Sequence, residues 1–183
     1  MEIGKSKEAF SGKWLVVKIV PFHDKTGKEK LCEFVERKFQ RKVATIICKS
    51  RDTGKILLVS QYRIPIAAVE VAFPAGLVEN GESIEKAALR ELREETGYNA
   101  RIISISNPLP KSAGLTNELS SLVLCEADEN SVGAPNMDDT EEITSMWIKP
   151  SEFFDRAQEW SSNKIRIAHE VYAYFLGICG STS

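Results

Sequence analysis

The sequence predicts an α+β sandwich built on a mixed β-sheet. Two observations carry this: runs rich in Val, Ile and Leu outnumber the helical stretches, and strands and helices do not alternate regularly along the chain. Residues 14–20 (WLVVKIV) and 31–39 (LCEFVERKF) are apolar or alternating, with a polar turn containing Thr26-Gly27-Lys28 between them, and they predict an N-terminal antiparallel pair. Residues 43–48 (VATIIC) and 55–60 (KILLVS), turned by Asp52-Thr53-Gly54, predict a second hairpin. Further strands are expected at 69–73, 100–105, 119–125 and 145–148.

Helices are fewer. Residues 83–96 set Ile84, Ala87, Ala88 and Leu92 at helical spacing, with Ser83 as N-cap and Gly97 as the stop. Two more are expected at 151–160 and 163–178, the last with Ile165, Ala168, Tyr172 and Phe175 on one face. Residues 126–142 (EADENSVGAPNMDDTEE) show no periodicity and are dense in carboxylates, so they read as a long loop. Loops of that length are often functional.

Composition narrows the function. A chain of 183 residues has length for one well-buried domain and some spare, not for a second full domain. With 24 basic against 26 acidic residues the net charge is -2, which gives no electrostatic footprint for nucleic acid or an anionic membrane. Cys32, Cys48, Cys125 and Cys179 form no C-x-x-C pair and read as reduced, mostly buried thiols. The N-terminus has no apolar stretch of signal-peptide length, and no run reaches transmembrane length, so a cytoplasmic protein is expected. His23 and His169 have no ligand spacing to a second histidine, and Trp147 and Trp160 read as core anchors.

The chemistry concentrates in Gly76-Leu77-Val78-Glu79-Asn80-Gly81-Glu82 and, after seven intervening residues, Arg90-Glu91-Leu92-Arg93-Glu94-Glu95-Thr96-Gly97-Tyr98. On a helix Glu91, Glu94 and Glu95 fall within an arc of about 100°. Carboxylates so close repel one another, and a divalent cation with hard oxygen ligands reverses that sign. The bland alternative is a solvent-facing helix laced with Arg–Glu pairs, Arg90 reaching Glu94 at i+4. The flanking residues decide against it. The stretch matches G-x5-E-x7-R-E-U-x-E-E-x-G-U at every fixed position, an alignment expected by chance in fewer than about one chain in a million.

That pattern is the Nudix box, and the sequence resembles the Nudix hydrolases. Gln61-Tyr62-Arg63, Phe73-Pro74-Ala75-Gly76, Gly114-Leu115-Thr116-Asn117-Glu118 and the extra N-terminal hairpin resemble the branch that hydrolyses ADP-ribose and related nucleoside diphosphate sugars. The resemblance implies the Nudix fold, an α/β/α sandwich with a mixed sheet, on residues 42–183. An N-terminal β element at 1–41 would serve dimerisation. It implies Mg2+, with Mn2+ as substitute, held by Glu91 and Glu95, by Glu94 and by the Ala75 carbonyl. Arg90 and Glu82 would orient those carboxylates, and Gly76 and Gly97 would be backbone requirements, a tight loop and a helix cap.

The catalytic set implied is Glu94, Arg90 and a carboxylate of the loop after the box that handles the attacking water. Glu141 aligns best, with Glu142 and Asp139 next. Arg63, Glu70 and Trp14 are the candidate substrate contacts. Two positions depart from the branch, Ala72 where a glutamate is usual and Ala113 where a proline is. Glu70 lies on the same strand face as Ala72. The expected activity is cleavage of a nucleoside diphosphate sugar to a nucleoside monophosphate and a sugar phosphate by a homodimer, without nucleic-acid or membrane partners. The rivals are a nucleoside triphosphate or dinucleoside polyphosphate hydrolase on the same fold, and a Nudix domain that only senses nucleotide.

Overall fold

A computed structural model of the chain describes residues 2–39, 42–136 and 142–180. Its strands are β1 (Lys7–Ser11), β2 (Leu15–His23), β3 (Glu29–Arg37), β4 (Val43–Ser50), β5 (Ile56–Arg63), β6 (Ala68–Ala72) and β7 (Ala75–Leu77). After helix α1 (Ile84–Thr96) come β8 (Tyr98–Ile105), β9 (Leu109–Pro110), β10 (Leu119–Val132) and β11 (Ile143–Ile148). Helix α2 (Phe153–Ser162), strand β12 (Arg166–Ile167) and helix α3 (His169–Cys179) complete the order.

The large sheet runs β12-β6-β5-β4-β10-β8, with β7 on β4, β11 on β5 and β9 on β10. It is mixed, as expected: β4 pairs with β10 in parallel over Val43–Ser50, while β5 pairs antiparallel with β6 and β11. Strands expose alternate residues to opposite faces, and here each face has its own helices. Ile46, Cys48 and Leu57 pack with Ala88 and Leu92 of α1. Ile47, Ile56 and Leu58 pack with Phe153 and Trp160 of α2 and Phe175 of α3. The sandwich is therefore α1, sheet, then α2 with α3. Phe153 and Phe175 stack in parallel at 3.8 Å between ring centroids and lock the last two helices together.

Four expectations from sequence need correction. The hairpin β4–β5 is paired only beside its turn, at Lys49 and Ile56. Beyond it the strands part, because β4 takes β7 and β10 as neighbours and β5 takes β6 and β11. The stretch read as a loop from 126 is strand through Val132, since β8 and β4 both supply hydrogen-bonding edges that periodicity does not reveal. The last helix begins at His169 instead of 163: Lys164 takes a left-handed φ of 60°, and Arg166 and Ile167 pair with Glu70 and Val71. Cys32 is exposed on β3, whereas Cys48 and Cys125 are buried and face each other across β4 and β10.

The N-terminal element is a separate three-stranded sheet, β1-β2-β3, one strand more than the predicted pair. It is tied to the segment before β10. The Val35 amide donates to the Leu115 carbonyl at 2.8 Å, Asn117 Nδ2 donates to Glu36 Oε2 at 2.6 Å, and Arg37 pairs with Glu118. Among the described residues, no helix is long and apolar enough to cross a membrane.

Candidate active site

Helix α1 is built to present carboxylates. Ser83 caps it, its Oγ accepting from the Lys86 amide at 3.3 Å, and Gly97 ends it at a φ of 76° with its amide on the Arg93 carbonyl. Gly97 has a second reason to lack a side chain. Its carbonyl accepts from the Gly133 amide at the end of β10, and a Cβ would lie 2.2 Å from the Gly133 oxygen. Ala88 and Leu92 anchor one side of α1 on the sheet, which leaves Glu91, Glu94 and Glu95 on the side facing β7.

Strand β7 lies between β4 and the helix. Ala44 and Thr45 of β4 hold Gly76 and Ala75 in register, and the Ala75 amide donates to Glu95 Oε2 at 3.3 Å. Gly76 has no left-handed φ. The tight-loop explanation is thereby replaced by a steric one: a Cβ here would stand 1.8 Å from Glu91 Cδ and 2.1 and 2.3 Å from its oxygens. The Glu91 carboxylate occupies the space a side chain would need.

Arg90 organises the rest. Its Nε and Nη2 grip Glu82 as a fork at 3.0 Å each, Nη2 also reaches the Leu77 carbonyl at 3.0 Å, and Nη1 donates to Glu91 and Glu94 at 2.9 Å each. One guanidinium thus links the box loop to both helix carboxylates. Its Arg90 partner holds the Glu82 carboxyl below its ordinary range, more than offsetting the upward push of burial. Arg90 is in turn driven further up by Glu82 first, then by Glu91 and Glu94.

Arg90, Glu91, Glu94 and Glu95 line a cleft of about 730 Å3 with Ala75, Gly76 and Glu79 on the box side. Arg63 and Glu70 line it too, paired at 3.3 Å, and Ala72 shares their wall, as alternation along β6 requires. Four further polar groups that sequence reasoning did not single out as contacts join them: Arg37 with Glu118, and Lys111 with Glu170. Each pair joins residues far apart in the chain, so no local pattern announces it. Glu118 carried one signal, the Gly114–Glu118 motif. Asn136 lines the cleft as well, its amide on the Glu94 carbonyl at 2.9 Å.

Three predicted residues stand apart. Glu82 bonds Arg90 and does not line the cleft. Trp14 is exposed beside the N-terminal sheet, with Lys13 Nζ 4.7 Å from its ring centroid, and does not line this chain's cleft. Glu142 is exposed just before β11 and is also not among the lining residues, while Glu141 and Asp139 lie outside the described residues.

The donor set fits a hard divalent cation. Three carboxylates and a peptide carbonyl are its preferred oxygen ligands, and the space left by Gly76 admits the Glu91 carboxylate against the backbone. Among the described residues, no three acidic, imidazole or thiol groups converge on one point, and Arg90 bonds both Glu91 and Glu94. A carboxylate offers about four lone-pair sites, so one guanidinium bond does not exhaust it.

Comparison with known proteins places this arrangement. Residues 39–169 match the NUDIX domain. The chain belongs to the Nudix family. A Nudix relative from Caenorhabditis elegans named putative nudix hydrolase 2 is 33% identical over 181 residues, covering 92% of this chain and 81% of that protein. An ADP-ribose pyrophosphatase of Saccharomyces cerevisiae is 34% identical, covering 81% of this chain and 70% of its own length. An ADP-sugar pyrophosphatase of Mus musculus is 28% identical over 94% of this chain and 85% of its own. A solved structure described as an ADP compounds hydrolase superposes with a TM-score of 0.67 at 20% identity, over 84% of this chain and 82% of that one, and shows the same fold.

Proposed function

We propose that this Nudix hydrolase cleaves the diphosphate bond of nucleoside diphosphate sugars such as ADP-ribose, with Mg2+ as its metal. One observation carries the reading: a single cleft sets the Glu91, Glu94 and Glu95 carboxylates against the cations Arg37 and Arg63. That is the charge pattern needed to hold a metal-bound diphosphate between two neutral groups. The relatives' names support the substrate class.

Glu91, Glu94, Glu95 and the Ala75 carbonyl would hold the metal, and Mn2+ would substitute. Held there, divalent cations would supply neutralisation of the diphosphate charge and activation of water as a nucleophile. Arg90 fixes the rotamers of Glu91 and Glu94, and Glu82 fixes Arg90. Arg63 would contact a phosphate once its bond to Glu70 yields. Glu141 would take the proton of the attacking water, with Glu142 as the alternative. Water oxygen bonds to phosphorus, the bridging oxygen leaves with the second phosphate, and the products are a nucleoside monophosphate and a sugar phosphate.

The N-terminal element at 1–41 would join two copies, with 42–183 as the catalytic unit. A small sheet must bury an apolar face against something. Here Phe10, Trp14 and Leu31 remain more than 60% exposed. Trp14 would meet substrate through the second copy.

The test is a panel of ADP-ribose, other nucleoside diphosphate sugars, nucleoside triphosphates and dinucleoside polyphosphates, with products identified by phosphorus NMR. Cleavage of ADP-ribose to AMP and ribose 5-phosphate is expected, with other nucleoside diphosphate sugars within about one to two orders of magnitude in kcat/KM. Ala72 leaves the cleft one polar group short at that point, and selectivity relies on buried polar groups left unpaired by the wrong substrate. Activity confined to triphosphates would overturn the reading.

A further inference from the structure

We propose that Lys111 and Glu170 form a diol-reading pair that recognises the hydroxyls of one of the two sugars flanking the diphosphate. The proposal rests on the diphosphate-sugar reading above and deepens it. Lys111 follows β9 and Glu170 lies in the first turn of α3, 59 residues apart in the chain, yet Nζ and Oε1 meet at 2.8 Å and both side chains line the cleft.

Their placement in the sheet matters. β9 is attached to β10, whereas α3 follows β12, which is attached to β6. The pair therefore spans from one side of the parted strands β4 and β5 to the other. Neither group belongs to the carboxylate cluster on α1, and neither contacts Arg90 among the described bonds.

The chemistry suits a vicinal diol better than a further phosphate. An ammonium only donates and a carboxylate only accepts, whereas each sugar hydroxyl does both. Two adjacent hydroxyls can thus bond the pair without breaking its charge balance. An extra phosphate would meet Lys111 but be repelled by Glu170. Burial pushes the Glu170 carboxyl up, but the Lys111 bond and the helix-start amide outweigh it and keep it below its ordinary range, so it stays an acceptor at neutral pH. At slightly more than one third exposed on each side, the pair is reachable by a ligand in the cleft.

Calorimetric binding in chelator, where no turnover interferes, tests this with three ligands. They are ADP-ribose, its analogue with an alkyl group in place of the distal ribose, and its analogue lacking the nucleoside 2′- and 3′-hydroxyls. Lys111→Met and Glu170→Gln should each weaken ADP-ribose binding about ten- to a hundredfold, the range for hydrogen bonds to charged groups. For one of the two analogues the same variants should change affinity less than about threefold. Equal losses on all three ligands would make the pair a strut between β9 and α3 and overturn the proposal, as would no loss on any. A wild type that binds all three yet fails to cleave ADP-ribose would sink the proposed function alone. One that binds none of them in chelator and none with Ca2+ in place of Mg2+ would sink both.

Discussion

Gly76→Ala isolates one claim about the site, that the carboxylate of Glu91 takes the place of a side chain. The new methyl would begin 1.8 Å from Glu91 Cδ, while carbon atoms in contact prefer about 3.5–4.0 Å, so something must move by roughly 2 Å. Gly76 is held by its register with Ala44, and the nearest atoms are all at the end of the Glu91 side chain, so Glu91 should yield. A misplacement of about 1 Å in a reacting constellation can cost 10²-fold, so turnover on ADP-ribose should fall at least about 10²-fold. Stability should fall little. One bond forfeited is the partly exposed Arg90–Glu91 pair, which by itself contributes about 1 kcal/mol, or roughly 2–4 °C in Tm for a chain of this size. Steady-state kinetics and thermal unfolding on the same preparation give both numbers. Near-normal turnover would refute the steric argument, and a collapse of Tm by more than about 10 °C would mean the sheet, not Glu91, absorbs the methyl.

Four further outcomes are expected. Glu95→Gln and Glu91→Gln should each lower turnover by at least about 10²–10³ with the fold intact by circular dichroism, and near-normal activity of Glu95→Gln at saturating Mg2+ would remove the metal assignment. Glu141→Gln should lower turnover by about 10²–10⁴ with metal binding retained; loss on Glu142→Gln alone would move the role one residue along. Because Arg90 holds Glu82 below its ordinary 4.5, Glu82 stabilises the fold above that pH and loses the contribution as pH falls through its lower folded value. The Tm gap between wild type and Glu82→Gln should accordingly narrow below about pH 4.5, and a gap constant with pH would contradict it. Sedimentation at micromolar concentration should give twice the chain mass of 20.4 kDa, and a single-chain mass would contradict dimerisation.

Much of the helix that carries the box was legible without coordinates. Ser83, the apolar spacing of Ala87, Ala88 and Leu92, and Gly97 define α1 within a residue, because capping and periodicity are local properties. The order of carboxylates on that helix follows from its geometry alone. Non-local partners were out of reach. Whether residues 126–132 pair depended on edges offered by β4 and β8, and whether 163–168 joined a helix depended on β6. The steric role of Gly76 needed the position of Glu91, fifteen residues on, and the pairs Arg37–Glu118 and Lys111–Glu170 needed the sheet that brings them to one cleft. Sequence by itself determined the α+β class, the capped helix and the order of carboxylates along it, since these depend on contacts within a turn or two. Only the tertiary structure decided which distant charges face that helix, because strand pairing and sheet order come from the energetics of the whole chain.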